Sequence, residues 1–218
     1  MKTIIKIISV VVFLVGGIFA VSAFLPGSDF DVKINFDHSY ADENGNSVVC
    51  AHAVRIEKFN GDWEETVTHL IPGTETVVKV VTTFGLNGKG VFRVLPDSHQ
   101  LMYLGERPKG YKPVFDADKV RSSPFFRGEG EIAGEPVIMT SSGGFEDAVA
   151  VKLNGALLRQ VSSGFTILAT NVERGKFNLD DLPDYPINYK SFDHQTEVLD
   201  KVNPSIANRL RPERNERP

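Results

Sequence analysis

Cysteine is nearly absent: Cys50 is the only one in 218 residues, so no internal disulfide can form and a disulfide-stapled miniprotein is excluded. An excess of base is also missing. The 24 Lys and Arg against 28 Asp and Glu give a formal net charge of -4, which lacks the footprint of a nucleic-acid binder. No stretch has the spacing of a nucleophile elbow, a phosphate loop or a calcium-binding hand. Long hydrophobic runs are confined to the first 25 residues. The remaining composition, 41% hydrophobic and 24% charged, suits an ordinary globular chain able to bury a core of its own.

The N-terminus carries Lys2 and Lys6, then nineteen residues without charge from Ile7 to Leu25. A cleavable export signal has an apolar stretch of about 7 to 15 residues and a spanning helix needs about 20, so this segment lies between the two. Val21 and Ala23 put small residues where a signal peptidase reads, whereas Phe24 and Leu25 prolong the apolar run. Residues 1–25 are therefore a signal peptide or a single-span membrane anchor. A buried helix is the remaining alternative. With the lysines held inside, either of the first two places everything after residue 26 outside the cytoplasm, periplasmic or tethered to the cytoplasmic membrane through residues 7–25. Without Lys2 and Lys6 the exported part has 22 bases against 28 acids, a net of -6.

From Asp31 onward the periodicity is two, with turn residues every eight to twelve positions, as in an antiparallel all-β domain. Strands are expected over 31–40, 47–57, 64–71, 76–84, 91–95, 101–104, 136–140, 147–153, 156–162 and 165–172. Asn60-Gly61, Pro72-Gly73, Asn154-Gly155 and Ser163-Gly164 supply the turns between them. Residues 105–131 lose the alternation and read as a long flap. A short helix is expected over 191–203, stopped by Asn203-Pro204, and residues 204–218 as a basic mobile tail. The fold class is mainly β, a curved antiparallel meander, half-barrel or sandwich-like, over 26–190, with an N-terminal hydrophobic helix and one short C-terminal helix.

Opposed residues of an antiparallel hairpin have numbers of constant sum. A first turn centred on Gly45 pairs His38 with His52, Phe36 with Val54 and Tyr40 with Cys50. A two-residue Asn60-Gly61 loop pairs His52 with His69 and Val54 with Val67. His38, His52 and His69 then share one row across three strands about 4.8 Å apart, a set that zinc or copper accepts. The same row also suits a solvated groove, and a one-residue slip would break it. Cys50 itself reads as a small buried hydrophobe. His99 reads as an exposed turn residue. Gly85 to Gly90, Ser141 to Gly144 and Ser162 to Gly164 read as β-turns, Asp180, Asp181 and Asp184 as a solvated acidic loop, and Glu129, Glu131 and Glu135 as a solvent-facing edge.

The meander from 31 to 104, the run Gly128-Glu129-Gly130-Glu131-Ile132-Ala133-Gly134-Glu135-Pro136-Val137-Ile138 and the hairpins ending at Leu182-Pro183-Asp184-Tyr185-Pro186 resemble extracytoplasmic half-barrel proteins of the lipoprotein-carrier type. The resemblance implies a curved sheet with one sheltered face, a flap at 105–131 and a lipid-like ligand. A lipobox cysteine, common among such proteins, is absent. The function expected is noncatalytic binding of an apolar ligand or an envelope protein partner, lined by Phe36, Tyr40, Val54, Val67 and Val78. A metal-binding protein using the histidine row and a structural envelope protein are the alternatives. No nucleic-acid partner is expected.

Overall fold

A computed structural model of the chain describes residues 30–110, 115–153 and 155–190. The expected segments 1–25, 191–203 and 204–218 lie outside the described residues. What is described is mainly β: β1 (Asp31–Ala41), β2 (Ser47–Glu57), β3 (Trp63–Leu70), β4 (Val77–Leu86), β5 (Gly90–Leu95), β6 (Gln100–Gly105), β7 (Phe126–Ile132), β8 (Glu135–Ser142), β9 (Phe145–Ala150), β10 (Ala156–Ser162), β11 (Phe165–Gly175) and β12 (Ile187–Asn188). One short helix, α1 (Ala117–Arg121), is capped by the Asp116 carboxylate, which accepts from the Lys119 N–H at 3.0 Å. Among the described residues no helix is long and apolar enough to cross a membrane.

These residues form two compact units, one built on Phe36–Val48 and Lys112–Val172, the other on Phe30–Asn35, Val49–Tyr111 and the chain from Glu173. In the first unit hydrogen-bonded neighbours run β1-β11-β10-β9-β8-β7. The hairpins β7–β8 and β10–β11 turn through Ala133-Gly134 and Ser163-Gly164, where both central residues have positive φ, the geometry that matches strand twist. Val137, Ile138, Ala148, Ala150, Leu153 and Leu158 are buried. The expected flap contains α1 and the edge strand β7. Alternation is invisible there because Gly128 and Gly130, opposite Met139 and Val137, offer no side chain to the pattern. Glu129 and Glu131 are exposed as expected, but Glu135 is buried at the start of β8.

In the second unit the order is β12-β6-β5-β4-β3-β2-β1, with β2 to β6 antiparallel and the short β12 parallel to β6. The β2–β3 turn corrects the expected register. Lys58 N–H donates to Asp62 O at 2.8 Å and Gly61 N–H to Lys58 O at 3.0 Å, so the loop is three residues, Phe59-Asn60-Gly61, with Gly61 at φ +105°. His52 therefore opposes Thr68, His69 opposes Ala51, and Val67 opposes Ala53 rather than Val54. One extra loop residue moves His69 and Val67 to the face opposite His52 and Val54.

Odd-numbered residues of β2 make an inner row: Ala51, Ala53, Arg55 and Glu57 are all buried. Arg55, 1% exposed, lies 4.1 Å from the Trp63 ring centroid, donates to Glu57 Oε1 at 2.6 Å and to Glu65 Oε2 at 3.3 Å. The Trp63 indole in turn lies flat on Gly85, its cross-strand partner, where a Cβ would come within 2.1 Å of Nε1. Burial pushes the Glu57 carboxyl above its ordinary range, against the opposing pull of Arg55 and Arg107.

Two outcomes are expected. Arg55→Ala takes from the buried Glu57 its hydrogen-bonded cation, leaving only the pull of Arg107, and should lower the unfolding free energy by about 3–5 kcal/mol, read as a fall in the urea midpoint with little change in slope. Ala133→Asn relieves a left-handed alanine (φ 51°) in a turn that favours Asn-Gly, and should raise stability by about 0.5–1 kcal/mol in the same titration.

Candidate functional site

Even-numbered residues of β2 and β3 make the other face of the second unit, and it is divided. Its rows are His52–Thr68–Val80, Val54–Thr66–Thr82 and Ile56–Glu64–Phe84, continuing through Phe92 to Tyr103. The end from Phe84 onward is covered. Leu182, Tyr185, Ile187 and Tyr189 pack on the buried cluster of Phe92, Leu101 and Tyr103, and the Tyr103 and Tyr189 rings lie 5.0 Å apart. The chain from Lys176 to Tyr189 thus acts as a strap. Asp180, Asp181 and Asp184 are exposed, as expected of a solvated acidic segment, while the apolar residues among them dock inward.

The strap is held at its start by Asp31. This carboxylate takes Lys58 Nζ at 2.6 Å, Phe59 N–H at 3.0 Å and Phe177 N–H at 3.0 Å, and Lys58 also donates to Phe177 O. Burial alone would raise its pKa, but the three donors outweigh that and hold it below the usual carboxylate range. Further along, Asp180 N–H donates to Glu64 Oε2 at 2.7 Å, and burial pushes Glu64 up.

The other end of the face is open. Val54 is 37% exposed, Val80 46% and Val78, the extra residue of a bulge between β3 and β4, 65%. Thr66 and Thr82 between the valines share a 3.2 Å hydrogen bond, so their hydroxyls partner each other. Ile71 and Val77, in and after the β3–β4 turn, are also exposed. An isolated exposed valine is unremarkable, but a cluster of them on one sheet face marks a surface suited to apolar contact.

Of the expected lining residues, Val54 and Val78 lie in this exposed region, Val67 points to the opposite face, and Phe36 and Tyr40 belong to the first unit, where Phe36 is buried and Tyr40 exposed. Val80 was missed; its signal is the run Val77-Val78-Lys79-Val80-Val81, too apolar for a strand with one solvated face. The histidines do not converge. His38 sits edge-on to Phe165 at 6.0 Å in the first unit, and His52 and His69 are on opposite faces of the second. Among the described residues no group of three or more His, Cys, Asp or Glu could hold a metal ion, so the zinc or copper row is not formed. Cys50 is half-buried, and burial raises its thiol pKa. His99 is exposed, in a left-handed turn position beside Tyr185.

No family model and no curated protein matches the chain. Among solved structures it is similar to a domain from Vibrio parahaemolyticus provisionally described as an outer membrane lipoprotein-sorting protein domain. The two share 8% identity over 76% of this chain and 91% of that one, with a TM-score of 0.26.

The first unit has a shallow pocket of about 210 Å³ lined by Arg127, Met139, Ser141, Glu146, Asp147 and Arg159. Arg159 pairs with Glu146 at 3.7 Å, and burial raises the Asp147 carboxyl, which accepts from Gln160 at 3.0 Å. Arg127 donates to the Pro124 and Phe126 carbonyls, so the pocket's charged groups are engaged within the unit.

The clamp makes the strap acid-sensitive. Asp31 titrates lower in the folded chain than unfolded, so its stabilisation is complete above about pH 4, the unfolded value, and is lost as pH falls through the folded value. Asp31→Asn should remove about 1–3 kcal/mol. It should also raise amide exchange over 177–189 at neutral pH and flatten the acid dependence of that exchange.

Proposed function

We propose that this chain is a noncatalytic β-protein of the cell envelope that binds an apolar ligand on the open end of the β2–β4 face. The observation that carries the proposal is the division of that face. One end is closed by the strap; the other leaves Val54, Val78 and Val80 solvated among threonines whose hydroxyls are already paired. Burying such a surface contributes about 25 cal/mol per Å², so an acyl chain or other apolar group lying across it gains without any polar partner. Export is supported by Lys2 and Lys6 ahead of the uncharged stretch from Ile7 to Leu25, which would deliver the domain to the periplasm or tether it to the outer side of the cytoplasmic membrane.

The test is organic extraction of the exported chain, purified without metal affinity. Lipid should be recovered near one equivalent, and Val54→Asp and Val80→Asp should each lower it about tenfold, because the contact would desolvate a carboxylate. The melting temperature of the extracted, lipid-free proteins should hold, since both positions are solvated. His69→Ala, on the opposite face, should leave bound lipid unchanged. Lipid-free protein, or equal loss in all three variants, would refute the proposal.

A further inference from the structure

The outer edge of β4 offers a second kind of recognition, through the backbone rather than the face. β4 pairs with β3 along its length, but with β5 only from Thr83 to Leu86. β5 continues to Val94 and Leu95 in register with β6, leaving β4 behind. Among the described residues no strand therefore pairs with Val77–Thr82 on the side away from β3. Six residues of strand, about 20 Å, present alternate N–H and C=O groups to an open side. Exposure of Val77, Val78, Lys79 and Val80 confirms that nothing described covers them.

Folded proteins blunt such edges with Pro, short strands or several charges. Here the devices are Lys79 and, near one end, the bulge at Val78. In a two-fold antiparallel pair each residue keeps its own face, so opposed residues have the same parity. Any such register that pairs four or more of these six residues sets Lys79 opposite itself or opposite Val81. Both place two ammonium groups on one face, directly opposed or diagonal at roughly 7–8 Å, which is unfavourable. The same lysine would instead pair with a carboxylate on an incoming strand.

We infer that the Val77–Thr82 edge of β4 takes up an extended segment of a partner protein by strand addition, with apolar residues flanking an Asp or Glu set opposite Lys79. The main-chain ladder supplies affinity and the alternate side chains supply selection. The inference is independent of the lipid proposal, which concerns the face.

The probe is a capped, fluorescein-labelled peptide, Thr-Val-Thr-Glu-Thr-Val-Thr, titrated with the full exported chain and followed by anisotropy. Two twins carry N-methyl groups on odd or on even residues, and a third has Lys in place of Glu. Saturable binding is expected, and only one methylation pattern should abolish it, by about tenfold or more, since a strand edge accepts hydrogen bonds from alternate residues alone. Lys79→Glu should reverse the preference between the Glu and Lys peptides. Absence of saturable binding, or equal tolerance of both methylation patterns, would overturn the inference. So would binding by a chain ending at residue 190 but not by the full chain, which would assign the edge to residues 191–218. A concentration-dependent dimer that excludes the peptide would assign it to a second copy. Lipid recovery measured on the same samples separates failure here from failure of the lipid proposal.

Discussion

Two backbone hydrogen bonds, Lys58 N–H to Asp62 O and Gly61 N–H to Lys58 O, determine what both faces of the second unit are made of. They close a three-residue loop, and the loop sets the parity of the β2–β3 pairing. From that parity follow the pairing of buried Arg55 with Glu65, the placing of Arg55 on the face of Trp63, and the outward position of Val54 beside Thr66. The polar side chains of the turn reinforce it: Asn60 Oδ1 accepts from Asp62 N–H at 3.0 Å, and Asp62 Oδ1 accepts from Asn87 N–H at 2.7 Å, tying the β4–β5 turn to the same register.

Charge is placed in the unit by the same logic. Arg55 is tolerated at full burial because its guanidinium has a ring on one side and two carboxylates at its edge, which satisfies both its π-face and its donors. Asp31 is stabilised as an anion by three donors, whereas Glu64, with fewer, is shifted the other way. The contrast matters for the strap. Its anchor at Phe177 depends on a carboxylate that stays ionised, so its attachment rests on electrostatics at one end and on aromatic packing at the other.

Among the described residues, the edges of β7 and of β4 are managed differently. β7, at the end of the first unit's order, carries Arg127, Glu129 and Glu131 between glycines, a composition that discourages pairing with another chain. The open part of β4 carries four valines and a single lysine. In the second unit, an apolar edge and an uncovered half-face meet at the start of β4.

Period-two alternation and glycine-centred turns were sufficient to locate most of the strands, because both depend on residues close in sequence; β2 and β10 fall on the expected residues, 47–57 and 156–162. β7 escaped because Gly128 and Gly130 remove every second side chain from its middle. The candidate site was legible only in part. Val54 and Val78 could be placed on strands, but which residues share a face depended on one extra residue in a loop, and Asn60-Gly61 is compatible with loops of two or three. The histidine row failed at that point. That the aspartate-rich segment from Asp180 to Asp184 docks as a strap could not be seen locally, since it depends on contacts between residues far apart in sequence, and the parting of β5 from β4 after Thr83 is set by the pairing of β5 with β6 and leaves no mark in the alternation. Local sequence determined the strands; long-range packing decided which parts of them remain uncovered.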